Sequence, residues 1–138
     1  IYIHFNQASS SIMHTFSLTL KNTTFHLISH FLTLLNERNF QQLEREFQLT
    51  KNAYDEILEE LEYEGILLKK LSLPPKDIAF TALNDNRAIF ELYEINTPEK
   101  IGIDCCLYAN NHETVLTLSG TLEPKENCLV FHFSGIHA

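Results

Sequence analysis

The sequence predicts an α+β domain whose N-terminal helices pack on a strongly curved antiparallel sheet of four to five strands, a cone-like arrangement. Up to Gly65 the apolar residues recur at helical spacing, and after Pro75 the period drops to two. Short clusters (NDN, NTPEK, NNHE, PKEN) separate the alternating runs, as the turns of a meander do. Helices first and strands afterwards place the helices on one face of the sheet.

Over residues 24–36, Phe25, Leu27, Ile28, Phe31, Leu32, Leu34 and Leu35 cover more than one helical face, so the first helix is heavily buried. Asn36 to Asn39 interrupts it, and Phe40, Leu43 and Phe47 then make a short second helix. Thr50 is an N-cap for the third, its hydroxyl placed to accept from an unpaired backbone N–H. That helix stops at Gly65, where a left-handed cap costs glycine little. Its Tyr54, Ile57, Leu58 and Leu61 form an apolar stripe. Asp55, Glu56, Glu59, Glu60 and Glu62 fan over the other side around Tyr63, with no Lys or Arg among them.

The segment ILLKKLSL before Pro74-Pro75 reads as an extended connection. Strands follow at Asp77–Leu83, Arg87–Ile95, Ile101–Asn110, Thr114–Glu123 and Cys128–His137. In the third, Ile101, Ile103, Cys105, Leu107 and Ala109 alternate with more polar neighbours. Gly120 and Gly135 fall where a strand bends or bulges.

The chain has 138 residues, the length of one domain, and 44% hydrophobic residues with ten Phe supply a proper core. Residues 23–138 are read as that domain and 1–22 as an N-terminal extension. The first twelve residues resemble neither an intact signal peptide nor a core element. A net charge of −8 opposes binding to nucleic acid or anionic membrane, which needs clustered cations, and favours a basic protein partner. Of the three cysteines, Cys105 and Cys106 are strand neighbours that point to opposite faces and are poorly placed to bridge. Reduced thiols and a cytoplasmic location are expected. No apolar run approaches the ~20 residues of a membrane span.

His26 and His30 stand four apart on the first helix, but no third ligand is evident, so no metal and no cofactor are assigned. Tyr93, Asp104 and His132, with Tyr108 nearby, fall on strands and are candidates for a pocket on the concave side of the sheet. No nucleophile elbow, phosphate loop or dinucleotide fingerprint is present, and no catalytic residue is assigned. The acidic helix face remains: an aromatic in a ring of carboxylates has the makeup of an interface anchor with steering charge. Its residues Asp55, Glu56, Glu59, Glu60, Glu62 and Tyr63 are the expected partner-binding site.

The stretch LEREFQLTKNAYDEILEELEYEGILLKK resembles the winged helix-turn-helix of bacterial transcription regulators. A recognition helix meets phosphates and base edges, whereas this one offers Asp and Glu where Arg and Lys belong, so DNA binding is rejected. From Phe25 onward the order LLNERNFQQLEREF, LTKNAYDEILEELEYEG, LPPKDIAF, TLSGTL and FSGIHA is similar to small bacterial domains of the nuclear-transport-factor-like superfamily. Close look-alikes often end in an acidic pair followed by Ile-His; this chain has Ser134-Gly135 before Ile136-His137. The resemblance implies helices wrapped by a curved sheet. It also implies a function drawn from ligand-transforming enzymes or non-catalytic members, among them immunity proteins that neutralise bacterial toxins. The expected function is non-enzymatic: an immunity protein whose acidic surface blocks a basic toxin such as a nuclease. The alternatives are a ligand-binding or catalytic cone acting on a small apolar molecule through Tyr93, Asp104 and His132, and a homodimeric adaptor using the open sheet face.

Overall fold

The computed structural model describes residues 16–81, 88–97 and 99–138. In chain order these form α1 (Leu18–Asn36), α2 (Phe40–Phe47), α3 (Lys51–Tyr63), β1 (Leu71–Ser72), the single turn α4 (Lys76–Ala79), β2 (Phe90–Glu94), β3 (Ile101–Ala109), β4 (His112–Lys125) and β5 (Cys128–His137). All five strands join one antiparallel sheet in the order β1-β3-β4-β5. β2 shares an edge of β3 with β1: Phe90 faces Cys105 at one end and Leu71 faces Ala109 at the other. The sheet is strongly curved and the helices pack on it, the α+β cone-like layout expected from the sequence.

Each long helix is closed by its own side chains. Ser17 Oγ accepts from the Leu20 N–H at 3.1 Å and starts α1 six residues before the apolar period predicts. Leu20 and Thr24 are buried and continue the inner stripe toward Ile28 at a spacing of four. Leu18–Asn22 are therefore part of the helix, which runs through the boundary drawn between residues 22 and 23. The reading of residues 1–12 lies outside the described residues.

Asn39 caps α2 through the Gln42 N–H, and Thr50 Oγ1 accepts from the Ala53 N–H at 3.1 Å to cap α3. At the far end of α3, the Ile66 N–H reaches Leu61 O at 2.9 Å and the Gly65 N–H reaches Glu62 O at 3.0 Å. Gly65 there has φ +74°, the left-handed cap anticipated for it. Thr50→Ala is expected to cost about 1 kcal/mol by leaving that N–H without its side-chain partner. A shifted urea midpoint with an unchanged slope would show it, and an unmoved midpoint would deny the cap any weight.

Two segments depart from the sequence-based expectation. The connection after Gly65 contains β1, too short for a period to reveal and held by tertiary contacts instead. Asn36 Nδ2 donates to Leu71 O at 2.8 Å, its Oδ1 accepts from the Leu71 N–H at 2.9 Å, and Asn110 Oδ1 takes the Lys70 N–H. The expected strand at 77–83 is not formed over its first half. Pro75 sets φ at −52° and its carbonyl accepts from the Ile78 and Ala79 N–H groups, giving a helical turn. Residues 82 and 83 lie outside the described residues, as does Arg87 at the start of the expected second strand.

The β3–β4 hairpin turns on Asn110-Asn111 alone. Both have positive φ, which asparagine tolerates and a two-residue hairpin of matching twist needs.

The interior is aromatic. Phe31 is fully buried, edge-on to Phe47 at 5.1 Å and to Phe131 at 5.7 Å between centroids, and stacked on Phe133 at 5.3 Å. Phe25 stacks on Phe90, which also meets Phe80 at 4.7 Å. Inward residues of β3, β4 and β5 complete this core, so side chains occupy the concave face of the sheet.

Candidate functional site

The acids of α3 divide into two rows. Glu56, Glu59, Glu60 and Tyr63 follow at steps of three and four residues, so they share one stripe, while Asp55 and Glu62 lie further round. The first row, with Ala53 and Ile57, makes one wall of an open groove of about 430 Å³. Phe133, Ser134, Gly135 and Ile136 of β5 make the other. Tyr63 is 84% exposed. The helix holds this stripe outward because Tyr54, Ile57 and Leu61 are buried behind it.

Charge separates the rows as well. Lys51 donates to Asp55 Oδ1 at 3.0 Å, one turn along the same helix, and its ammonium also lies 5.1 Å from the Tyr54 ring centroid and 5.4 Å from that of Phe40. Asp55 is thus already paired and stands outside the groove, as does Glu62. Glu56, Glu59, Glu60 and Tyr63 have no side-chain hydrogen bond or ion pair among the described residues. Glu56 and Glu60 lie about 6 Å apart along the axis. That is inside a Debye length of about 8 Å at physiological salt, so their charges act together as one field.

The β5 wall is shaped by a bulge. Ser119 pairs with Gly135 and the next residue, Gly120, with Phe133, which leaves Ser134 as the extra residue. Phe133 accordingly packs on Phe31 and Ile136 is buried, a slip of one in the alternation begun by Leu129 and Phe131. Sequence reasoning located the helix wall and missed this one. The signal was present as the change from odd to even inward positions across Ser134-Gly135.

Tyr93, Asp104 and His132 do not line the concave side of the sheet. They alternate with the inward residues Leu92, Ile103 and Phe131 and belong to the opposite face. Tyr93 packs over Gly102, where a Cβ would run into its ring. Burial, and then the Asp104 carboxylate beside it, push the Tyr93 phenol above the ordinary tyrosine value. Asp104 Oδ1 accepts from Ser119 Oγ at 2.7 Å, and that hydroxyl also lies 3.2 Å from His137 Nε2.

The serine is the middle member of this chain of contacts, with its proton directed to the carboxylate. The nucleophile–base–orienter order of a hydrolytic triad is not formed. His132 goes elsewhere, to Glu123 Oε1 at 2.9 Å, and that hydrogen bond holds the Glu123 carboxyl below the usual glutamate range. The three expected pocket residues are therefore split, Tyr93 beside Asp104 and His132 apart from them on Glu123.

His30 Nε2 lies 3.0 Å from Glu46 Oε1, whereas exposed His26 packs edge-on to Phe25. Among the described residues no group of three or more His, Cys, Asp or Glu is placed to hold a metal ion. Cys105 is buried, Cys106 half-buried and Cys128 exposed, all three as free thiols; burial pushes the Cys105 thiol well above its ordinary value. No helix among the described residues is long and apolar enough to cross a membrane. A second groove, of about 420 Å³, carries Glu64, Lys69, His112 and Glu113, so its charges are mixed.

In comparison with known proteins, no family model, no curated protein and no solved structure matches the chain.

Proposed function

We propose that this chain is a non-enzymatic protein-binding module, an immunity protein that neutralises a basic bacterial toxin such as a nuclease. The observation that carries the reading is the row Glu56, Glu59, Glu60 and Tyr63 along one open groove, without a cation to neutralise it among the described residues. A nuclease site is built to attract phosphate, so a carboxylate row is drawn to the same cations and obstructs the substrate's approach. Tyr63 supplies the aromatic anchor at the end of the row. The cone-like layout is compatible with the resemblance to nuclear-transport-factor-like immunity domains, and free thiols suit the cytoplasm, where such a protein would meet its toxin.

The neighbouring reading frame tests this directly. It should encode a large secreted protein with a basic C-terminal domain, and one equivalent of this chain should abolish that purified domain's toxic activity. A domain that stays fully active in the presence of excess chain sinks the reading.

A further inference from the structure

The acidic row explains attraction to a cation but leaves the other wall of the groove without a role. β5 pairs with β4 along one side, and among the described residues no strand lies along its other side. In an antiparallel pair alternate residues point their N–H and C=O groups away from the partner, so the outer edge of β5 is a row of backbone donors and acceptors. Across the groove from Phe133–Ile136 stand Glu56, Glu59 and Glu60.

The geometry points to capture of an extended basic segment, which lies in this groove as an added strand on β5 and turns its Lys or Arg side chains toward α3. This rests on the reading of the acidic face as a binding surface and specifies how the surface is used. Side chains on one face of a strand recur about every 6.8 Å. Glu56 and Glu60 recur about every 6 Å along the helix, so cations at positions i and i+2 of the segment meet successive carboxylates. Tyr63 follows at the end of the row and offers an aromatic ring to a further cation.

A groove of about 430 Å³ admits a stretch of chain and not a folded domain. The partner must therefore present a tail, a loop or a strand edge of its own. A second copy of this chain is the poorer occupant, because it brings the same carboxylates to the same edge and like charges there repel.

The test uses the full chain, isotopically labelled, and two ten-residue peptides. One alternates Lys and Val; the other has the same sequence with every backbone nitrogen methylated, which removes the donors of both strand edges. The alternating peptide should bind, should slow exchange of outward β5 amides about tenfold or more, and should weaken steeply as salt is raised beyond about 0.15 M. The methylated peptide should bind about tenfold less tightly, since it cannot complete the ladder. Failure of the plain peptide to bind overturns strand addition. Equal affinity of the two peptides with β5 exchange unchanged overturns it while leaving the acidic reading intact. If Glu56, Glu59 and Glu60 can all become Lys without loss of peptide affinity, the acidic reading itself fails. Outward β5 amides already protected in the chain alone would mean the edge is filled by a second copy or by another part of this chain, and the inference falls.

Discussion

Replacing Phe31 by alanine should destabilise the protein by about 3–5 kcal/mol, the usual range for deleting a core phenylalanine. The ring has no solvent exposure and meets Phe47, Phe131 and Phe133, which come from one helix and one strand. Removing it leaves a cavity at the junction of α1, α2 and β5, and the caged aromatics around it have little freedom to close the gap. Domains of this size are stable by about 5–15 kcal/mol, so the loss takes a large share of the whole. A fall in melting temperature of about 10–20 °C is expected from the size scaling. Phe31→Leu, which keeps much of the volume, should lose far less. A Phe31→Ala variant within about 1 kcal/mol of the parent would mean that the concave side of the sheet is not packed as described.

Reversing Glu56, Glu59 and Glu60 to lysine should slow association with the proposed basic partner by about tenfold or more and flatten its dependence on salt. Each exchange adds two charges, so the net charge moves from −8 to −2. The local field reverses while the fold is left alone, because these side chains make no hydrogen bond or ion pair among the described residues. Thermal stability should stay within about 0.5 kcal/mol, as for ordinary surface substitutions.

Net charge alone also alters encounter rates, so the control places the same +6 elsewhere. Glu37, Glu44 and Glu126 are exposed and line neither described groove. Their exchange for lysine should slow association much less. Stopped-flow rates at two salt concentrations separate the cases. Equal slowing by the two triple variants would assign the effect to the whole molecule and remove the groove from the mechanism.

How far these sites can be read from sequence depends on whether local pattern or tertiary pairing decides them. β5 is legible because Leu129, Phe131 and Phe133 alternate and the turn cluster PKEN precedes the run. α3 is legible too: its cap, apolar stripe and terminal glycine all agree. β1 is not, because two residues carry no period and Asn36 fixes Leu71 from thirty-five positions away. At 77–83 the alternation of Ile78 and Phe80 competes with Pro75, and the fixed φ of the proline wins at the start of the segment.

The candidate site shows the same division. A helical wheel finds Glu56, Glu59, Glu60 and Tyr63 on one stripe, but only the packing of α3 against the sheet reveals that β5 faces them. A wheel also counts Asp55 among the free acids, since it does not show that Lys51 reaches back to it. Strand alternation places Asp104 and His132 on a face, whereas their partners Ser119 and Glu123 follow from cross-strand register and side-chain reach.

The two sides of α3 carry different structural duties. Tyr54, Ile57 and Leu61 hold the helix against the body of the protein, and Thr50 and Gly65 close its ends. Substitutions in that set cost folding free energy, so its character is tied to the fold. The groove side has no such duty: Glu56, Glu59, Glu60 and Tyr63 can be exchanged one at a time for other polar residues at little cost to folding. Under the proposed function, recognition could therefore be retuned to a changed partner without loss of the fold. The helix is one element with a fixed side and an evolvable one.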